Sequence, residues 1–182
     1  MIGYLKLPDF AQKNEGGAAA LRQTVRAFAS AGIPNRVVAL FDNDTAARDV
    51  IHAVDTSALP ANLVITRLPG LDLASAYPTV GPQGEHVMDV NGLAGSIELY
   101  LGSDVLTVGG ELQPVVWGGY VSRLRAYQGE ISDKERVQER FREKVAAAKL
   151  RPEVMVDQDW SGLDLVLDHL VDLVRHITLP GP

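Results

Sequence analysis

The sequence has no cysteine in its 182 residues. A disulfide scaffold, thiolate metal sites and a cysteine nucleophile are therefore excluded. No apolar run approaches the roughly 18 residues that a membrane-spanning helix needs. The N-terminus, Met1-Ile-Gly-Tyr-Leu-Lys-Leu-Pro8, lacks the basic-then-apolar order of a signal peptide. No internal repeat or low-complexity tract is found. The four histidines, His52, His86, His169 and His176, form no His-x-x-x-His pair, which argues against zinc. Ser96 has no Gly-x-Ser-x-Gly context, which argues against hydrolase nucleophile chemistry. What remains is an ordinary globular composition, 46% hydrophobic and 22% charged with a net charge of -6. The length suits one domain of about 100–150 residues with an appendage. The expectation is a soluble, cytoplasmic protein without a membrane partner.

The first 70 residues alternate between strand and helix patterns. Tyr4–Leu7 reads as a short strand stopped by Pro8. After Gly16-Gly17, residues 18–30 place Leu21, Val25, Phe28 and Ala29 at helical spacing, with Gly32 and Pro34 as terminators. Residues 36–41, Arg-Val-Val-Ala-Leu-Phe, form a continuous apolar run of the kind buried on both faces of a parallel sheet. A helix to about Val54 and a strand at Leu63–Arg67 follow. This alternation predicts an α/β fold with parallel pairing and right-handed crossovers.

Residues 70–95, rich in Gly and Pro, read as a long structured loop. Ser96 either caps a short helix carrying Glu98 or begins a strand. Residues 133–149 alternate in charge around Val137, Phe141 and Val145. Ser161-Gly-Leu-Asp164 reads as a capping box for a helix with Leu163, Val166, Leu167, Leu170, Val171 and Val174 on one stripe. The expected division is an α/β domain over 1–105 and a helical extension over 106–182.

Asp42 and Asp44 stand just beyond the buried strand, where ligands collect in open α/β sheets. Two carboxylates one residue apart in a turn can converge on one hard cation. Mg²⁺ suits such a pair, with water and substrate phosphate oxygens completing its shell. The alternative is local: Asp44 or Thr45 caps the following helix, and Asp42 hydrogen-bonds the turn.

Val37-Val-Ala-Leu-Phe-Asp-Asn-Asp-Thr-Ala-Ala47 resembles the aspartate motif of Toprim domains, which occur in topoisomerases, primases and overcoming-lysogenization-defect nucleases. The wider pattern is similar to HEPN/Toprim proteins. It includes Glu15-Gly-Gly-Ala-Ala-Ala-Leu21, Tyr77-Pro-Thr79 with Gly81-Pro-Gln-Gly84, and Asp89-Val-Asn-Gly92 with Gly95-Ser-Ile-Glu-Leu-Tyr-Leu101. Tyr127-Gln-Gly-Glu130 and Asp159-Trp-Ser-Gly162 extend it. The resemblance implies a Toprim-like parallel sheet flanked by helices, Mg²⁺ (or Mn²⁺) held by Asp42 and Asp44, and phosphodiester chemistry on nucleic acid, DNA or RNA. It also implies a glutamate after the first strand. Glu15 is too close to Asp42 for the family layout, so the alignment that fits makes Tyr4–Leu7 the second strand and puts the first, with its glutamate, before Met1. Glu98 and Asp89 are the acids that could substitute. Glu98 lies in a segment resembling one whose acids join a second metal in related nucleases; Asp89 equally suits an Asx-turn. The HEPN ribonuclease Arg–His spacing is absent, because Arg48 and His52 stand too close together.

Three residue groups complete the reading. Residues 121–151 hold nine Lys/Arg against five Asp/Glu, either a solvated helix with i,i+4 pairs or a phosphate-facing surface. Arg48 is the candidate phosphate-positioning residue near the aspartates. Trp117, Tyr120, Tyr127 and Trp160 either dock the extension onto the sheet or stack on bases. The leading expectation is a Mg²⁺-dependent Toprim-type nuclease with Asp42, Asp44 and Glu98 at its centre, in a phage-defence or toxin-like setting. The alternative is a non-catalytic module that binds metal, nucleic acid, a second copy or a partner chain at an exposed sheet edge.

Overall fold

The computed structural model describes residues 17–54, 56–122 and 124–179. The predicted strand at Tyr4–Leu7 and Glu15 lie outside these residues. Helix α1 (Ala18–Ala31) leads to β1 (Val37–Phe41), β2 (Asn43–Asp44) and α2 (Thr45–His52). Gly32 ends α1 in the left-handed region, φ 61, where a side chain would be strained. Strand β3 (Leu63–Arg67) lies parallel to β1, with Val37 opposite Leu63 and Phe41 opposite Arg67. This parallel pair matches the sequence expectation at both strands.

Both faces of the pair are covered, as the unbroken apolar run of β1 requires. Val25 of α1 and Ala47 of α2 pack with Ala39, Phe41 and Leu63. Phe28, which the helical spacing places with these residues, is instead 40% exposed. Helix α5 (Ser161–His176) contacts β1, and Thr66 Oγ1 lies 2.9 Å from His169 Nε2.

The parallel sheet is smaller than the resemblance implies. Among the described residues it has two strands, and a separate four-stranded mixed sheet supplies most of the remaining β structure. That second sheet arises where a loop and a helical extension were expected. Within 70–95, β4 (Tyr77–Gly81) and β5 (Gly84–Met88) form a hairpin closed by Pro82-Gln83, with Gly84 at φ 98. A two-residue β6 (Ala94–Gly95) then pairs with β2.

After α3 (Ser103–Leu106), the short strands β7 (Thr107–Val108) and β8 (Glu111–Leu112) pair with each other. Strands β9 (Val115–Val121) and β10 (Ala126–Ile131) form a longer hairpin. Strand β9 joins β4 in parallel, so the sheet order is β10-β9-β4-β5. Continuous helical structure begins only at α4 (Lys134–Leu150), not at residue 106. The physical cause is packing: Val115 and Ile131 are buried with Tyr77, Leu106 and Val137 in the larger core. Each such fully buried aliphatic side chain contributes roughly 1.5–3 kcal/mol.

The C-terminal helices are tied in by polar contacts. The expected Ser161 cap is replaced by Asp159, whose carboxylate accepts from the backbone N–H and the hydroxyl of both Ser103 and Ser161. Burial opposes its ionisation, but these four bonds hold the carboxyl well below the usual range. Lys144 is buried and donates to Leu101 O at 3.0 Å, Asp104 Oδ1 at 2.8 Å and the Asp159 carbonyl, with its ammonium 4.5 Å from the Trp160 ring centre. Trp160 also meets Phe141 edge-on, so this aromatic docks α5 against α4. Among the described residues no helix is long and apolar enough to cross a membrane.

Candidate active site

The site starts where β1 runs out. Asp42 follows Phe41 and precedes β2, whose pairing with β6 is made possible by Gly95. A Cβ at that glycine would lie 2.7 Å from the Asn43 carbonyl oxygen. Asp44 is the N-cap of α2, and its Oδ1 accepts from the Ala47 N–H at 2.7 Å. The local alternative for Asp44 is therefore present, and it leaves the charge of that carboxylate at the helix N-terminus, where it is favourable. Thr45 is fully buried; its hydroxyl donates to Tyr127 O at 2.8 Å or to Leu93 O at 3.2 Å, tying the turn to β10 and to the segment before β6.

Glu98 arrives from a different direction. It sits on a 3-10 turn (Ile97–Tyr100) and is 1% exposed. A buried carboxylate needs partners. Gln138 Nε2 donates to Glu98 Oε1 at 2.7 Å, and Lys134 Nζ lies 3.4 Å from Glu98 Oε2. Burial would raise the Glu98 pKa, but hydrogen bonds from Gln138 and Ser96 and the charge of Lys134 together hold it below its ordinary value. Lys134 is also 3.6 Å from Glu130 Oε1. Burial works against its charge, yet Glu98, Glu130 and Asp42 keep it firmly protonated.

Electrostatics join these parts. Burial, then the charges of Asp44 and Glu98, push the Asp42 carboxyl up to about 6, against Lys134 and a backbone hydrogen bond from Ile97. Burial also raises Asp44, against its hydrogen bonds at the start of α2 and against Lys134. Asp42, Asp44 and Glu98, predicted from separate segments, thus lie within one electrostatic cluster. Gln138 is the member that sequence reasoning missed, while Lys134 falls in the basic stretch read as a solvated helix or a phosphate-facing surface, without being singled out there. Val137 and Phe141 mark the inward side of their helix, and both join the larger core, but the spacing does not say that Lys134 and Gln138 on that side meet Glu98.

The other candidates lie elsewhere or have structural roles. Arg48 is half-buried, with Nη1 3.5 Å from the Gly92 carbonyl. Asp89 Oδ1 accepts from the Asn91 N–H at 2.9 Å, which is the Asx-turn alternative. Asn91 in turn clamps Leu71, accepting from its N–H and donating to its carbonyl.

Among the described residues, no three His, Asp or Glu side chains are grouped as a metal-ligand set. Asp42 and Asp44 are the carboxylate pair that could hold a cation. Glu98, whose Oε2 has no hydrogen-bond partner among the described residues and lies 3.4 Å from Lys134 Nζ, remains a candidate third donor. A carboxylate pair of this kind fits Mg²⁺, which retains several waters, better than a metal demanding a full protein cage. Burial is the main cause of the raised Asp42 carboxyl, and the lesser repulsion from Asp44 and Glu98 is the part that a cation would relieve.

The fold and site together define a mixed α/β protein with a half-buried acid–lysine cluster at the end of a parallel strand pair. Comparison with family models, curated proteins and solved structures finds no match.

Proposed function

We propose that this protein is a divalent-cation-dependent phosphodiesterase acting on nucleic acid, of the Toprim nuclease kind, with β1, β3 and α2 as the centre of a Toprim-like sheet. The observation that supports the reading is the electrostatic coupling of Asp42 at the end of β1 to Asp44, Glu98 and Lys134. Asp42 and Asp44 would hold Mg²⁺ or Mn²⁺. The ion, when bound, supplies charge stabilisation for a phosphodiester oxygen. Lys134 offers a cation for a second phosphate oxygen, and Glu98 holds that ammonium in place as a positioning residue. Arg48 holds the Gly92 carbonyl through Nη1 and would meet phosphate through its other N–H donors.

A non-catalytic module is the second reading. One observation favours it: Lys134 already supplies the cluster with a cation from the chain itself.

Cleavage of end-labelled single- and double-stranded DNA and RNA, with Mg²⁺, Mn²⁺ or EDTA, separates the two. Metal-dependent cleavage that disappears in Asp42→Asn/Asp44→Asn supports the nuclease. Cleavage unchanged in that double variant refutes the assignment of the site. Nucleic-acid binding without cleavage under any metal favours the module.

A further inference from the structure

Beside the acidic cluster, a cavity of about 420 Å³ opens between the β4–β5 and β9–β10 hairpins. Its volume lies within the range of small-molecule sites, about 300–1,000 Å³. Trp117, Tyr127, Met88 and Leu93 give it apolar walls, and Arg125 and His86 add nitrogen-bearing groups. Trp117 is seated by two glycines. A Cβ at Gly81 would come 3.3 Å from its ring, and one at Gly129 would come 2.8 Å from it. Tyr127 and Tyr120 are about half exposed and meet edge-to-face, with ring centres 5.0 Å apart. Exposed aromatics of this kind add little to the core. The segment from Trp117 to Gln128 contains Arg123 and Arg125 and no acidic residue.

Two residues of the cavity wall also hydrogen-bond the residue next to Asp44. Leu93 lines the cavity and accepts from the Thr45 N–H at 3.2 Å, while the Tyr127 carbonyl accepts from the Thr45 hydroxyl. Thr45 directly follows Asp44.

We infer that this aromatic cavity is a base-stacking subsite for single-stranded nucleic acid, holding an unpaired nucleobase between Trp117 and Tyr127 while Arg125 meets the neighbouring phosphate. The inference rests on the nucleic-acid reading above and names its substrate class. Paired bases are already stacked on one another and cannot enter, so the subsite selects single strands. Stacking needs only a π-face, so it tolerates any sequence.

The test is fluorescence anisotropy with labelled oligo(dT), oligo(U) and a duplex of equal length, in EDTA and low salt, where no metal-dependent cleavage occurs. Single strands are expected to bind more tightly than the duplex, with quenching of tryptophan fluorescence. Tyr127→Ala, at an exposed position, should weaken single-strand binding about tenfold, the scale of one lost stacking contact. Arg125→Ala should weaken it and make it less salt-dependent, as the loss of a phosphate contact does. Trp117→Phe should retain more affinity than Trp117→Ala, with circular dichroism confirming that both fold. Equal affinity for duplex, or affinity unchanged by Tyr127→Ala and Trp117→Ala together, overturns the inference. Binding that depends on these aromatics, in a protein that cleaves nothing, keeps the subsite and removes the nuclease. Cleavage lost in Asp42→Asn/Asp44→Asn, with binding indifferent to the aromatics, does the reverse.

Discussion

Gln138 donates a 2.7 Å hydrogen bond to Glu98 from 40 residues further along the chain. That contact, together with the Lys134 ammonium one turn earlier on α4, lets an ionised carboxylate exist at 1% exposure. It also directs a cation towards Asp42 and Asp44. Removing either end should therefore affect both stability and the cluster's charge.

Lys134→Ala leaves Glu98 without a cationic partner, with neutral donors only. The expected loss is about 1–3 kcal/mol of unfolding free energy in urea, the scale of a buried group deprived of its partner. Lys134→Arg keeps the charge and should recover part of it. A Lys134→Ala variant as stable as the parent would show that the pair contributes nothing net.

Asp42→Asn is expected to stabilise the metal-free protein at neutral pH. The folded carboxyl titrates near 6 and its ordinary value is 3.8. The native state therefore binds more protons than the unfolded chain between those values, and stability falls as pH rises through that window. Above it the ionised Asp42 costs on the order of 1–2 kcal/mol once solvent screening is allowed for. Melting curves in EDTA should show the variant ahead at pH 7.5 and level with the parent below pH 4. A variant less stable at pH 7.5 would contradict the strain. Function traded against stability in this way is common at sites that bind or react.

Asp44 separates structural from chemical duty. Asp44→Ala removes the N-cap of α2 and should cost about 1 kcal/mol, whereas Asp44→Asn keeps a capping oxygen and should cost much less. Both remove the charge, so both should abolish metal-dependent cleavage. Thermal denaturation beside the cleavage assay reads the two effects separately.

Lys144→Met tests the clamp at the other end of α4. The ammonium bridges Leu101, Asp104 and Asp159, and Gly102 leaves room for it: a Cβ there would lie 2.5 Å from Lys144 Nζ. Methionine fills the space but deprives the Leu101 and Asp159 carbonyls of this donor and Asp104 of its counter-charge. The expected loss is about 3 kcal/mol, measured by chemical denaturation, since breaking a buried ion pair from one side is strongly destabilising. Cleavage by the folded fraction should be unaffected, because Lys144 lies outside the acidic cluster.

The local patterns account for what could be read in advance. Val37–Phe41 and Leu63–Arg67 are strands because apolar runs covered on both faces carry their burial in composition alone. Helices α1, α4 and α5 follow from helical spacing, and the N-cap at Asp44 from residue type and position. The hairpins were hidden for definite reasons. Every residue of Gly84–Met88 is exposed, so no alternation marks it as a strand, and Gly118-Gly119 interrupts β9 where the apolar signal should be strongest. A register shift between Tyr127 and Gly129 further blurs β10.

The amino-acid order by itself determined the elements around β1 and put two carboxylates at its end, because backbone preference and burial period act over a few neighbouring residues. Only the tertiary structure brought Lys134 and Gln138 of α4 to Glu98, and only it set Trp117 and Tyr127 around one cavity. Those choices depend on how hairpins and helices pack across long sequence separations. No pattern within a single segment records that.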